Sequence, residues 1–189
     1  ANVTLSGGAV YGSVFGGGNN EDVKINASVN ISTGQVYGNV YGGGNLGNVG
    51  TYTQKPYDNV GNYNWTSGTG HSQVTISNGT IGIEGDLSDN HGNVFGGGKG
   101  KENTFWCERG MVYSTNVSIS KGIVKGDVFG GGEVGRVEQN TTVTIDAELE
   151  DVTDIKGDVF GAGKGLDTHG YSALVRGNPT VTVQGYAKV

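Results

Sequence analysis

Two short apolar phrases recur along the chain at related spacings. The first is a valine and an aromatic residue followed by three small residues, and it occurs as Val14-Phe15-Gly16-Gly17-Gly18, Val40-Tyr41-Gly42-Gly43-Gly44, Val94-Phe95-Gly96-Gly97-Gly98, Val128-Phe129-Gly130-Gly131-Gly132 and Val159-Phe160-Gly161-Ala162-Gly163. The second is an apolar–polar–apolar triplet, found as Val3-Thr4-Leu5, Val29-Asn30-Ile31, Val74-Thr75-Ile76, Val117-Ser118-Ile119, Val143-Thr144-Ile145 and Val181-Thr182-Val183. Alternation with a period of two is typical of β-strands, and no window shows a sustained helical period. The repetition predicts an all-β repeat protein.

The spacing of the phrases defines the repeat. In three units the triplet begins 12 residues before the aromatic residue, and 14 residues then lead to the next triplet where nothing is inserted, which gives a 26-residue unit. Three short apolar runs per unit favour one coil of a parallel β-helix (β-solenoid), with coils stacked about 4.8 Å apart. An antiparallel β-sandwich or an array of hairpins is the alternative. The predicted units span about 3–28, 29–73, 74–116, 117–142 and 143–180, with a partial unit 181–189, and we interpret the single segment 1–189 as part of a longer repetitive chain.

Stacked units place equivalent residues in ladders. Besides the valine, isoleucine and aromatic ladders, a third apolar ladder is expected from Val23, Met111, Val137 and Val175. A polar ladder precedes the glycine phrase, and its side chains should bond nearby backbone groups: Ser13, Asn39, Asn93, Asp127 and Asp158. Asp127 and Asp158 would be adjacent like charges, which requires a donor or a cation between them. The glycine triplets predict either positive φ or close backbone packing, and Ala162 indicates that the middle position accepts a Cβ.

Composition excludes some classes of function. The chain has 38 glycines among 189 residues and a net charge of −6, with no basic patch that would indicate a nucleic-acid partner. No apolar run approaches the roughly 18 residues needed for a membrane-spanning helix, so no membrane insertion is expected. Cys107 is the only cysteine and therefore forms no disulfide within the chain.

The candidate binding residues lie in insertions. After the glycine phrase, units two, three and five gain 19, 8 and 7 residues at what should be one corner of the fold. Aromatic and arginine side chains concentrate there: Tyr52, Tyr57, Tyr63, Trp65, Phe105, Trp106, Arg109, Tyr113 and Tyr171. Rings on loops at the edge of a rigid scaffold can form a platform for sugar rings or for a partner protein. They can equally fold down and cover the flank of the core.

The sequence predicts no catalytic residues, no metal and no cofactor. Two acidic insertions, residues 83–91 and 146–154, match no calcium-binding loop and indicate solvated acidic surfaces. His71, His91 and His169 are isolated along the chain. A glycosidase on such a scaffold would need paired carboxylates on one face, and the acidic residues lie mainly in these two loops.

A resemblance to a known group of proteins lies in two phrases, Gly38-Asn39-Val40-Tyr41-Gly42-Gly43-Gly44-Asn45 and Gly92-Asn93-Val94-Phe95-Gly96-Gly97-Gly98. They resemble the VFGGG-type repeat regions of large adhesin-like surface proteins of gut Bacteroidetes, and the resemblance covers essentially the whole chain. It implies export, display at the bacterial cell surface and an adhesive or structural role. It supplies no catalytic or binding residues.

We therefore expect a non-catalytic extracellular repeat scaffold, an adhesin-like or stalk segment of a bacterial surface protein. The alternative is a carbohydrate-binding module that uses the aromatic insertions. A polysaccharide-degrading β-helix enzyme is disfavoured. The expected partners are host or bacterial glycans or surface proteins, together with end-to-end association of the chain with itself through its exposed strand edges.

Overall fold

The computed structural model describes residues 1–54, 63–85, 90–102, 108–148 and 153–189. Across these ranges the chain is all-β and contains no helix, which confirms the all-β prediction. The sixteen strands of the described residues are β1 (Asn2–Val10), β2 (Val14–Phe15), β3 (Ala27–Val36), β4 (Val40–Tyr41), β5 (Tyr52–Gln54), β6 (Tyr63–Trp65), β7 (His71–Ile76), β8 (Thr80–Ile81), β9 (Val94–Phe95), β10 (Ser114–Ile119), β11 (Gly122–Val124), β12 (Val128–Phe129), β13 (Thr141–Ala147), β14 (Thr153–Ile155), β15 (Val159–Phe160) and β16 (Pro179–Gly185).

Two parallel sheets and one small hairpin contain all of these strands. Sheet A follows the order β14-β11-β8-β3-β7-β10-β13-β16, and β1 joins it by pairing with β3. Sheet B follows the order β15-β12-β9-β4-β2. Strands β5 and β6 form a separate antiparallel pair. Because each parallel pair joins equivalent residues of neighbouring units, the repeat sets the register of both sheets.

The predicted parallel β-helix is wrong. Strand β3 continues for ten residues through both the apolar triplet and the apolar run after it. Its first half pairs with β7 and its last two residues pair with β8. The two runs, which a β-helix coil would place on separate faces, therefore belong to one curled sheet that forms a half-barrel beside sheet B. The antiparallel sandwich or hairpin array is also wrong, because both sheets are parallel.

The predicted side-chain ladders do form. The apolar cluster between the sheets contains the ladders of Val29, Val74, Val117 and Val143 and of Ile31, Ile76, Ile119 and Ile145. On sheet B, five rings stack with centroids 4.7 to 5.0 Å apart: Phe15, Tyr41, Phe95, Phe129 and Phe160. The third apolar ladder differs from the expectation, because it contains Val112 in place of Met111 and Val49 from the second unit.

Tyr41 is the one hydroxyl-bearing ring in the aromatic ladder. Its hydroxyl donates a hydrogen bond to Glu133 Oε2 and accepts one from Asn39 Nδ2 at 3.1 Å. Burial, followed by the nearby Glu133 carboxylate, raises the pKa of Tyr41 above its ordinary value of 10.0. The phenol therefore stays protonated inside the stack.

Close backbone packing, and not positive φ, explains the glycine triplets. No glycine of a triplet has positive φ in the described chain. A Cβ on Gly16 would lie 2.3 Å from the carbonyl oxygen of Gly42, and a Cβ on Gly17 would lie 2.7 Å from the nitrogen of Gly44. Ala162 does not show that the middle position is permissive, because its equivalent in the preceding unit, Gly131, would place a Cβ 2.6 Å from Gly163 N. Ala162 belongs to the outermost triplet of sheet B.

The polar ladder bonds the backbone of the neighbouring unit, as the sequence predicts. Ser13 Oγ accepts from the Asn39 N–H at 3.0 Å, and Asn39 Oδ1 accepts from the Asn93 N–H at 2.9 Å. Asn93 Oδ1 in turn accepts from the Asp127 N–H, and Asp127 Oδ1 accepts from the Asp158 N–H, both at 2.8 Å. The hydrogen-bond donor that the sequence analysis requires beside Asp127 is thus the backbone N–H of Asp158.

A second polar ladder has no counterpart in the sequence analysis. Buried hydroxyls from sheet A donate to the carbonyl oxygen of the first glycine in three of the five triplets. The bonds are Ser72 Oγ to Gly96 O (2.6 Å), Thr115 Oγ1 to Gly130 O (2.6 Å) and Thr141 Oγ1 to Gly161 O (2.5 Å). They tie sheet A to sheet B across the core.

Candidate functional site

The insertion of unit two folds into the β5–β6 hairpin. Tyr52 pairs with Trp65 and Gln54 pairs with Tyr63, so that the three aromatic residues lie on one face of the two strands. The hairpin leaves the scaffold at Gly50 and returns to it at Gly70, both with positive φ. The Trp65 ring packs over these glycines, since a Cβ on either would lie within 2.8 Å of Trp65 Cζ3. The glycines thus let the indole approach the scaffold backbone.

Four of the nine predicted residues form one aromatic cluster. The ring centroid of Tyr52 is 4.8 Å from those of both Tyr63 and Trp65, and Trp65 is 5.5 Å from Tyr113 of the third unit. His71 stands edge-on to Tyr113 at 5.7 Å. The contacts fold part of the aromatic surface onto the scaffold, as the covering interpretation expects.

A pocket remains open beside this cluster. Its volume is about 390 Å³, and it is lined by Tyr63, Asn64, Trp65, Tyr113, Glu138, Gln139 and Arg176. We call it the hairpin pocket. Within the described part of the chain, Trp65 Nε1 is a buried donor without a hydrogen-bond partner. An unsatisfied buried donor in a pocket-lining residue is unusual in a folded protein. Aromatic walls with a few polar groups are typical of small-ligand sites.

A buried ion pair supports the inner wall of the hairpin pocket. Arg136 is fully buried, and its guanidinium binds Glu138 Oε1. The same guanidinium lies 5.8 Å from the centroid of the Tyr63 ring, a cation–π distance. Arg176 Nη1 is 3.7 Å from the second oxygen of Glu138, at the more exposed side of the pocket. The sequence analysis missed both Arg136 and Glu138, although their alternation around the buried Val137 placed them on one face.

The two tyrosines of the hairpin are held as neutral phenols. Tyr63 donates its hydroxyl hydrogen to Glu108, and burial followed by this bond raises the pKa of Tyr63. Burial likewise raises the pKa of Tyr52, whose hydroxyl accepts from Asn48 Nδ2 at 2.7 Å. Both phenols are therefore protonated at neutral pH.

The remaining predicted residues lie apart from the cluster or outside the described residues. Arg109 Nη2 donates to Asn20 O at 3.3 Å. Tyr171 is an exposed residue of the fifth-unit insertion and does not line the hairpin pocket. Tyr57, Phe105 and Trp106 fall outside the described residues, as do residues 86–89 and 149–152 of the two acidic insertions.

Contacts join the three insertions side by side, as their spacing predicts. The bond from Tyr63 to Glu108 links the second insertion to the third. Thr168 Oγ1 donates to Glu102 Oε1 at 3.2 Å, and this bond links the fifth to the third. The residues that the structure describes contain no group of three or more His, Cys, Asp or Glu side chains arranged to hold a metal ion. They also contain no helix of the length and apolarity that a membrane span requires.

Comparison of the chain with protein-family models, with curated proteins and with solved structures finds no match. The resemblance to adhesin-like surface proteins therefore stays a prediction from sequence.

Proposed function

We propose that this chain is a non-catalytic repeat scaffold, an adhesin-like or stalk segment of a bacterial surface protein that works outside the cell. The proposal is supported by the polar groups of the repeats, which bond neighbouring units to one another. Both polar ladders bond the backbone of a neighbouring unit, and the glycine triplets pack backbone on backbone. An extended structural repeat requires side chains that hold its neighbouring units together.

A second candidate function, carbohydrate binding, is favoured by the hairpin pocket. The carrying observation is that Tyr63, Trp65 and Tyr113 line one pocket with Glu138, Gln139 and Arg176. An aromatic face packs against the C–H face of a sugar ring, while carboxylate, amide and guanidinium groups bond its hydroxyls. The two proposals are compatible, because a scaffold can present a binding pocket at its insertions.

The pocket chemistry disfavours hydrolysis. Glycosidases generally use two carboxyl groups about 5 to 9.5 Å apart. Glu138 is the one carboxylate among the described residues that line the hairpin pocket, and Arg136 binds it directly. The described lining of the pocket therefore lacks the pair of carboxyl groups that glycosidases use.

A glycan and mucin array tests these proposals on the whole 189-residue chain. Carbohydrate binding predicts at least one positive glycan, whose signal falls at least tenfold in Trp65→Ala and stays unchanged in Tyr171→Ala, a matched loss of an aromatic ring outside the pocket. Equal binding by both variants would contradict the assignment to the hairpin pocket. If the unmodified chain binds no glycan, carbohydrate binding is contradicted and only the scaffold proposal remains. Release of sugars from any polysaccharide would contradict the non-catalytic proposal.

A further inference from the structure

A second cavity lies on the outer face of sheet A, where a row of side chains is interrupted. Backbone hydrogen bonds place five equivalent residues in this row: Tyr11, Tyr37, Gly82, Lys125 and Lys156. The rings of Tyr11 and Tyr37 stack with centroids 5.0 Å apart and planes 4° apart. The next residue of the row has no side chain, and a cavity of about 330 Å³ lies beside it. We call this cavity the Gly82 slot.

The backbone itself excludes a side chain at position 82. Gly82 has a φ of +96°, a conformation that residues with a Cβ rarely adopt. A Cβ there would also lie 2.7 Å from both Gly92 Cα and Lys125 Cβ. Gln35 Nε2 donates to the Gly82 carbonyl at 2.5 Å and fixes this segment against β3. The interruption of the row is therefore a built feature that no ordinary side chain can fill.

The dimensions of the slot fit one ring. Tyr37 and Lys125 are two strand spacings apart, about 9.6 Å. A ring stacked on Tyr37 at the distance seen between Tyr11 and Tyr37 would lie about midway between these two walls. It would continue the existing stack by one member.

The chemistry of the walls differs from one side to the other. The first wall is the face of the Tyr37 ring, and the second is the stem of Lys125, whose side chain is only 14% exposed. The Lys125 ammonium pairs with Glu84 at the rim, and this pairing lowers the pKa of the Glu84 carboxyl. Thr80 supplies a hydroxyl to the same cavity. A ligand that fits must offer an apolar face to Tyr37 and hydroxyls to the ammonium, carboxylate and hydroxyl groups.

We propose that the Gly82 slot binds a single pyranose residue, stacked on Tyr37 and hydrogen-bonded to Lys125 and Glu84. A pyranose has one face of C–H bonds and a rim of hydroxyls, which matches the two walls. A flat aromatic ring from a protein partner would satisfy Tyr37 but would offer no hydroxyl groups to the polar rim. This proposal does not depend on the hairpin pocket, which lies at the insertions and shares no lining residue with the slot.

Saturation-transfer NMR on the whole chain tests the proposal, with the methyl pyranosides of glucose, galactose, mannose and N-acetylglucosamine as probes. We expect saturation of the ring C–H protons of at least one probe, retained in Tyr171→Ala, which removes an aromatic ring outside both cavities. In Tyr37→Ala the dissociation constant should rise at least tenfold. Lys125→Met keeps the stem and removes the charge, so it should also weaken binding. This variant serves as the test if Tyr37→Ala fails to fold.

Three results would overturn the proposal. The first is no saturation of any of the four pyranosides. The second is saturation that Trp65→Ala abolishes and Tyr37→Ala leaves unchanged, which would place all sugar binding in the hairpin pocket. The third is saturation of free phenol, lost in Tyr37→Ala, without saturation of any pyranoside, which would mark the slot as a site for an aromatic side chain.

Discussion

Single residues in this protein are constrained mainly by the unit next to them. The first two glycines of the triplets show this most clearly, since a Cβ on either would lie within 2.8 Å of a backbone atom of the next unit's triplet wherever such a triplet packs on them. The identity of these glycines was plain in the sequence, but the reason for them was not, because sequence does not distinguish positive φ from close packing. For the same reason, Ala162 alone does not reveal that the equivalent glycines of covered triplets have no room for a Cβ.

Gly131→Ala should destabilise the protein by about 2 to 3 kcal/mol, because its Cβ would overlap the Gly163 nitrogen and the neighbouring backbone cannot move aside without breaking the sheet. Ala162→Gly, the equivalent site in the outermost triplet, should change the free energy of unfolding by less than about 1 kcal/mol. Denaturant unfolding of both variants measures the difference. Equal changes in the free energy of unfolding would show that packing against the next triplet is not the reason for glycine at these positions.

The buried phenol of Tyr41 makes stability depend on alkaline pH. Its pKa is raised in the folded chain above the ordinary 10.0, so between these two values the unfolded chain binds fewer protons than the folded one. The contribution of the protonated Tyr41 phenol to the free energy of unfolding is therefore complete below about pH 10 and is lost as pH rises further. We expect the free energy of unfolding of Tyr41→Phe to fall less steeply with pH above 10 than that of the unmodified chain.

Unfolding curves at a series of pH values from 8 upward measure this slope, since the pH range starts about two units below the ordinary tyrosine pKa. Tyr11→Phe, a change at an exposed ring, is the matched control. A Tyr41→Phe slope identical to that of the unmodified chain would contradict the assignment.

At the scale of elements, strand identity and register were predictable, and the hairpin was only partly so. Equivalent residues such as Val117 and Val143 pair because every unit carries the same apolar triplet. The limits of the second insertion were also evident from the spacing. Its internal pairing was not, since β5 and β6 are three residues each and carry little pattern. Arg136 and Glu138 went unnoticed because charged residues usually indicate an exposed surface.

The hairpin should be held to the scaffold by coupling between Trp65 and Tyr113, whose rings are in contact. A double-mutant cycle with Trp65→Ala and Tyr113→Ala should give an interaction energy of about 0.5 to 1.5 kcal/mol, the range for aromatic pairs. A control cycle combines Trp65→Ala with Tyr171→Ala, a change at a distant ring. Its interaction energy should be near zero. Full additivity of Trp65→Ala and Tyr113→Ala would mean that the hairpin docks without this contact.

For the whole molecule, the repeat determined which residues pair but not how the sheet bends. Periodicity is equally compatible with separate faces and with one continuous sheet. Strand β3 decides between them because it runs on through Gly34, which has a φ of +108° and lies against the backbone of Gly7 and Gly8. The curled half-barrel is thus a consequence of backbone geometry at a few glycines, which side-chain pattern does not report.

The outer edges of the two sheets should differ in how they associate with other copies. On β16 the apolar side chains of Val181 and Val183 are 41% and 47% exposed. At the corresponding edge of sheet B, the Cβ of Ala162 occupies the place where the triplet of another copy would pack, as the distances at Gly131 show. Ala162→Gly should therefore increase head-to-tail self-association.

Sedimentation velocity across a concentration series compares Ala162→Gly with the unmodified chain. We expect a larger weight-average mass for Ala162→Gly at every concentration. Ala162→Ser keeps a Cβ and is the control, which should behave as the unmodified chain does. A mass for Ala162→Gly no larger than that of Ala162→Ser would contradict a blocking role for this methyl group.

The two proposed functions meet in one arrangement, a repeat scaffold that presents the hairpin pocket to carbohydrate. The most direct test is a ¹H–¹⁵N NMR titration with the strongest glycan from the array, following the indole N–H signals of the two tryptophans, assigned with Trp106→Phe. The Trp65 indole signal should shift and saturate with the glycan, because Trp65 lines the hairpin pocket. A glycan that binds while the Trp65 signal stays unchanged would contradict it.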